Sequence, residues 1–309
     1  MFRFFVSRLL QALLAIFVAV SVVFVLTRVT GDPVLLFLPQ DVAPRDIEEF
    51  RQRLGFDRPV YEQYLRFLWD ALQGDFGMSL RFREPAFNLV LARVPNTLRL
   101  GLCALIVTAL LSIPLGIVAA VHRGKFIDRL VITIVSIGQA VPGFWLGLIL
   151  IWMFSVRLGW LPTSGRGEGA EAWKHYILPT LTLTAFSASR IARVTRTSIL
   201  EVLRLDYIRT ANSKGLAPAK VLSKHVLKNA SIPIITVFGL DAGALLGGAV
   251  VAETIFAWPG MGRYLVDALL SRDFPIVIVG VLLTSALYLS INLIVDVAYA
   301  WLDPRIKVA

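Results

Sequence analysis

The run Leu-Gly-Leu-Cys-Ala-Leu-Ile-Val-Thr-Ala-Leu-Leu-Ser-Ile-Pro-Leu-Gly-Ile-Val-Ala-Ala-Val, residues 100–121, spans 22 positions without one Asp, Glu, Lys or Arg. A bilayer core about 30 Å thick is crossed by roughly 20 apolar residues as a helix, which satisfies its backbone polar groups internally. Leu9–Thr27, Leu130–Val156 and Phe274–Val295 are equally free of charge, and Ile232–Ala252 is interrupted only by Asp241. Tyr176–Ser189 is short for a span. It becomes long enough if the helix extends toward Thr197, with Arg190, Arg193 and Arg196 on one face snorkelling to the interface. The pattern reads as an all-α polytopic membrane protein with six transmembrane helices.

Composition agrees. The chain is 57% hydrophobic and 17% charged, against about 45–50% and about 25% for a soluble domain. Its formal net charge of +10 could suggest a nucleic-acid partner, but the bases follow membrane topology instead. With both termini in the cytoplasm, the inner segments hold sixteen Lys and Arg and the short outer loops five, the bias that positive-inside orientation requires. No soluble basic domain remains to bind nucleic acid. The first apolar run, 19 residues long, exceeds the roughly 7–15 of a signal peptide and reads as a retained anchor. Cys103 is the only cysteine, so no disulfide framework is expected. His122, His175 and His225 fall on separate loops or loop edges, so no metal site is expected from them.

The chain divides into an N-terminal anchor helix, 1–30; an extracytoplasmic helical region, 31–94; and a membrane domain, 95–302. The spans of that domain lie at about 98–121, 130–156, 177–197, 232–253 and 275–297, with a cytoplasmic segment at 200–229. Region 31–94 carries ten acids and eight bases, all arginine. Pro44–Gly55 reads as a helix with acids early and bases late. Pro59–Gln73 reads as another, with Tyr61, Tyr64, Leu65, Leu68 and Leu72 on an apolar face. This region is either a small cap or a docking face for an outside partner.

Three features of the membrane domain stand out. Asp206-Tyr-Ile-Arg-Thr-Ala-Asn-Ser-Lys-Gly215 is a polar stretch with helix punctuation: Asp206 as N-cap, Gly215 as left-handed C′ residue, Leu216 closing the apolar contact. Pro218 then opens a second helix reaching roughly Lys228. Pro114 and Pro142 kink the second and third spans, and Gly143-Phe-Trp-Leu-Gly147 suits close helix contact. In the fifth span Gly239, Gly243 and Gly247 recur every four residues as a packing stripe, while Asp241 shares the opposite face with Gly248 and Ala252. A carboxylate at such depth is costly, which makes Asp241, Gly248 and Ala252 candidates for lining a path and Asp241 a candidate for favouring cationic cargo. The competing reading is a hydrogen-bonded, protonated Asp inside the bundle.

There is no Gly-x-x-x-x-Gly-Lys-[Ser/Thr] loop, no His-Glu-x-x-His and no Gly-x-Ser-x-Gly. The chain is therefore expected to have no catalytic residue, no ATP site and no cofactor of its own. No repeat of one half in the other is visible, as an inverted-repeat transporter would show.

A set of short motifs spans residues 31–305: Gly31-Asp-Pro33, Leu54-Gly-Phe-Asp-Arg-Pro59, Gln73-Gly-Asp-Phe-Gly77, Leu158-Gly-Trp-Leu-Pro162, Asp206-Tyr-Ile-Arg-Thr-Ala211 with Lys214-Gly-Leu216, Gly247–Phe256, Trp258-Pro-Gly260, Arg272-Asp-Phe-Pro275 and Asp303-Pro-Arg305. In combination the chain resembles the permease subunit of peptide/nickel-type ABC importers, of the dipeptide/oligopeptide permease B type. The resemblance implies a type I ABC importer transmembrane fold in a bacterial or archaeal cytoplasmic membrane. It implies a homologous second permease, two ABC ATPase subunits that use ATP and Mg, and an extracytoplasmic solute-binding protein. It makes 206–215 the coupling helix, with Asp206, Tyr207, Arg209, Thr210, Ala211, Lys214 and Gly215 meeting the ATPase. Two departures stand out. Asn212-Ser213 replaces the family's usual Arg-Ala, and Asp241 stands where an amide or apolar residue is usual. A rival from another class is an ion-coupled secondary transporter using Asp241, with Glu253 and Asp296 as relays, although those two lie near opposite membrane faces.

Overall fold

The computed structural model describes residues 2–29, 43, 45, 48, 49, 51, 52 and 57–302. Among them the helices are α1 (Phe2–Val29), α2 (Val60–Leu72), α3 (Ala86–Leu91), α4 (Val94–Val121), α5 (Phe126–Ala140), α6 (Gly143–Leu150), α7 (Lys174–Val202), α8 (Asp206–Ser213), α9 (Leu227–Ile255), α10 (Met261–Leu270) and α11 (Phe274–Leu302). A π-helical turn, Ile151–Arg157, prolongs α6, while Pro218–Lys220 and a second π turn, Val221–Val226, lead into α9. The described residues contain no strand, only an isolated bridge between Met78 and Pro85. Most of Pro44–Gly55, together with Gly31-Asp-Pro33, Leu54–Phe56, Asp303-Pro-Arg305 and the side chains of Asp296 and Tyr299, lies outside the described residues.

The helix containing α4 and the stretch Phe274–Val295 of α11 are long and apolar enough to cross a membrane. The third expected span, 130–156, is not one kinked helix. It breaks between α5 and α6 through 104°, because Val141 and Pro142 are both extended, with ψ of 127° and 134°. The proline ring disfavours helical backbone in the residue before it. Pro114 and Pro233, by contrast, sit inside continuous helices. The helix opened by Pro218 therefore does not stop near Lys228 but runs on through α9, which bends by 51° between Leu245 and Gly247.

The described residues form two compact units, one within 1–96 and 259–289 and the other within 97–258 and 290–309. In the first unit Val23, Ala86, Val90, Met261, Ile276 and Val279 form the buried core. Phe24 of α1 meets Tyr64 and Phe67 of α2 with ring centroids 5.1 and 5.3 Å apart. The inward face of α2 thus runs through Tyr64 and Phe67, and Tyr61, Leu65 and Leu72 of the expected apolar face are exposed. Buried Asp273 accepts hydrogen bonds from the Ser79 hydroxyl at 2.5 Å and from the amides of Leu80 and Arg81 at 3.2 and 3.3 Å. Burial pushes the Tyr264 phenol up from its ordinary value, against the opposing charge of Arg93.

The second unit is organised on α7, which packs against α5, α6 and α9. Its weak apolarity has a direct cause: Thr180, Thr182, Thr184, Ser187, Ser189, Thr195 and Ser198 are all buried. A helix walled by other helices can hold hydroxyls that bond carbonyls of its own turn or of a neighbour. Thr184 donates to Ala104 of α4 at 3.3 Å, and Ser189 donates to Val135 of α5. The tight approaches to α7 are made at Gly116 and Gly138. A Cβ there would lie 2.6 Å from the Ala192 carbonyl oxygen and 2.9 Å from that of Ala185. Of the expected stripe, Gly239 and Gly243 are buried, but Gly247 is exposed and an added Cβ would meet nothing within 4 Å. Its glycine pair with Gly248 stands at the bend of α9, where loss of side chains eases the kink.

Candidate functional site

Helix α8 begins one residue earlier than the capping signal suggested. Leu205, extended at ψ 146°, is the N-cap, and Asp206 is the first helical residue with no capping hydrogen bond. Its carboxylate stays exposed, 3.7 Å from Arg209 one turn on, where it still complements the helix N-terminus. The C-terminal end follows the Schellman pattern. Gly215 has φ +74°, its amide donates to Asn212 at 2.9 Å, and the Leu216 amide donates to Ala211 at 3.4 Å.

Ile208 and Ala211 point inward, joining Ile199, Val202, Val221 and Val226 in a buried cluster on which Leu216 also packs. Tyr207 adds a polar clamp: its hydroxyl receives the Asn229 amide at 2.6 Å and donates to the His225 carbonyl at 3.2 Å. The opposite face carries Asp206, Arg209, Thr210, Asn212, Ser213 and Lys214, all exposed. Of the residues read from the sequence, Ala211 thus belongs to the anchor, while Arg209, Thr210 and Lys214 form the free face. Ile208, Leu216 and Asn229 complete the anchor. The apolar spacing of Ile208, Ala211 and Leu216 was the signal for it.

Three arginines one turn apart on α7 each find a polar partner on another helix. Arg196 forms a two-point pair with buried Asp128 of α5 at 2.7 and 2.8 Å, and Asp128 also accepts the Gly124 amide at 2.8 Å. Arg193 donates to the Gln139 side chain, and Arg190 donates to Asp241 of α9 at 2.9 Å. These arginines do more than snorkel: they tie α7 to α5 and α9.

Asp241, Gly248 and Ala252 do come together, on the wall of a cavity of about 380 Å³ between α6, α7 and α9. Phe144, Leu183, Phe186 and Val251 make it largely apolar, and among the described residues Arg190 and Asp241 are the charged ones that line it. Buried Glu253 is not beside them; it accepts the Thr97 hydroxyl at 2.6 Å. The described geometry offers no relay through Asp241 and Glu253.

Residues 112–308 match the family described as Binding-protein-dependent transport system inner membrane component, and residues 1–101 match Binding-prot-dependent transport system membrane comp, N-term. The chain belongs to this family, and it is the permease subunit of an ABC importer: a non-catalytic, multi-pass protein of the bacterial inner membrane that works with ATPase and binding-protein subunits. It is 42% identical over 308 residues, 99% of each chain, to the glutathione transport system permease protein GsiC of Escherichia coli (strain K12). It is also 42% identical over 330 residues, 98% of each chain, to the di/tripeptide transport system permease protein DppB of Pseudomonas aeruginosa (strain UCBPP-PA14). Its fold resembles that of a chain of the inward-facing MetNI methionine ABC transporter, with a TM-score of 0.56 at 20% identity over 70% of this chain and 96% of that one.

Proposed function

We propose that this permease forms half of the translocation path for short peptides or a related small solute, and that α8 is its coupling helix to an ATPase subunit. The cargo class rests on the relatives named for glutathione and for di- and tripeptides, each matched along nearly its whole length. The coupling role rests on one observation: an eight-residue helix anchored by buried Ile208 and Ala211 exposes a polar face that nothing in the described chain covers. A helix held that firmly can transmit a displacement, whereas a loose loop would absorb it.

In this reading the chain has six spans and cytoplasmic termini, and 200–229 faces the ATPases. A homologous second permease completes the path, two ATPase subunits bind and hydrolyse ATP with Mg, and a solute-binding protein delivers cargo from outside. The chain itself binds no cofactor, and the cavity between α6, α7 and α9 belongs to the path.

The test is reconstitution of the whole importer. Replacing residues 207–214 by a Gly/Ser linker is expected to abolish cargo-stimulated ATP hydrolysis and uptake while the permease pair still assembles. Stimulation that survives this replacement overturns the coupling role. Uptake by the wild-type complex that peptides do not compete for overturns the cargo class.

A further inference from the structure

Two charges line the path cavity, but the structure exposes them very unequally. The Asp241 side chain is 3% exposed and that of Arg190 43%. One carboxylate oxygen, Oδ1, is occupied by Arg190 at 2.9 Å, and the other, Oδ2, is buried with no partner among the described residues. Cargo in the cavity therefore cannot reach the acid without rearrangement, but it can reach the guanidinium.

We propose that Arg190 is the cargo-contacting charge of this cavity and that it receives a carboxylate of the passing solute. The inference rests on the reading that the cavity belongs to the path. It reverses the expectation that Asp241 selects cationic cargo. A guanidinium presents five N–H donors in a planar fork, and the contact to Asp241 is made through one nitrogen, Nη1. The remaining donors suit a carboxylate, which pairs with arginine in two-point geometry. The apolar walls of Phe144, Leu183, Phe186 and Val251 lower the local dielectric and strengthen that attraction.

Asp241 then acts through Arg190 as a positioning residue. It holds the head group in place and offsets its charge. An unopposed cation in an apolar passage would hold an anion too tightly, whereas transport needs a site that cargo can leave. Ser187, also on the wall, lies one helical turn from Arg190 and supplies a neutral hydrogen-bonding group.

The experiment uses the complete importer in liposomes with its binding protein at saturation. Uptake of a tripeptide with a free C-terminal carboxylate is compared with uptake of its C-terminal amide. The preference of the binding protein is common to all variants, so it cancels when each is divided by wild type. In R190Q/D241N, which removes both charges without stranding a buried carboxylate, the acid-to-amide ratio is expected to fall about tenfold, the loss of one charge-assisted hydrogen-bonded contact. D241N alone is expected to keep or raise the ratio, and R190K, which keeps the charge, to retain most of it. An unchanged ratio in R190Q/D241N with uptake intact overturns the role of Arg190. A ratio that collapses in D241N alone, or as completely in R190K as in the double variant, overturns it too. Wild-type complex that carries neither peptide removes the peptide reading itself, and this inference with it.

Discussion

Arg196 and Asp128 show how a single ion pair organises this bundle. Asp128 is buried, its two oxygens take the Nε and Nη2 donors of Arg196, and the Gly124 amide adds a third hydrogen bond. Removing the acid alone leaves a partly buried guanidinium without its partner, which costs more than the pair contributes. Asp128→Ala is expected to lower stability by about 2–3 kcal/mol, read as thermal unfolding in detergent. The double variant Asp128→Ala/Arg196→Met should recover part of that loss. If the double variant is no more stable than the single one, the pair is not the source of the effect. At the far end of the α7 row, Arg190 also joins α7 to α9 through Asp241, but it lines a cavity as well, and the selectivity proposed for it is a second role beside that cohesion.

At the scale of elements, the short helix α8 owes its independence to its ends. Gly215 closes it with φ +74° and frees the chain to turn toward Pro218. A side chain at that angle presses its Cβ against the following carbonyl oxygen, so Gly215→Ala is expected to cost about 1–2 kcal/mol. The loss should appear as faster protease cleavage around Lys214 and as weaker coupling of ATP hydrolysis to cargo. Unchanged protection would show that the cap does not hold the helix. Ala257, with φ +46°, ends α9 in the same way, its following amide, that of Trp258, donating to Glu253 at 2.8 Å. Here a residue with a Cβ occupies the strained position, and Ala257→Gly is expected to stabilise the chain by about 1 kcal/mol, measured by the same unfolding transition.

For the molecule as a whole, the decisive property is that it is the passive partner in an active process. Liposomes holding this chain alone should show no uptake under a pH gradient, and the purified chain should neither bind nor hydrolyse ATP. Gradient-driven uptake abolished by Asp241→Asn would instead support the ion-coupled rival. Against that rival, Asp241 is taken up by Arg190 and Glu253 by Thr97, and the two acids do not share the cavity. The exposed stripe of Tyr61, Leu65 and Leu72 on α2 sets a limit of another kind. Three- and four-residue spacing marks an apolar face, but only packing shows whether the protein's own core covers it.

Much of this protein is written in local pattern. Uncharged runs locate α1, α4, α11 and most of the broken and bent spans, because a lipid environment excludes charge and obliges the backbone to close its own hydrogen bonds. Asp206 and Gly215 located the two ends of α8 to within a residue, because a short acidic side chain's preference for helix starts and a glycine's tolerance of left-handed backbone are properties of single residues. Family membership was equally legible, spread over short motifs along the chain. Pairing between distant positions was not. That Arg190, Arg193 and Arg196 would meet Asp241, Gln139 and Asp128 depends on which helices lie beside α7, and no local spacing encodes that. The same holds for the glycines. The regular stripe in α9 drew attention, yet the tightest approaches to α7 are at Gly116 and Gly138. Sequence by itself determined a helical membrane permease with a short polar helix between two longer ones. Tertiary structure decided which of two neighbouring charges a solute can touch, because accessibility belongs to the packing around a side chain and not to the side chain alone.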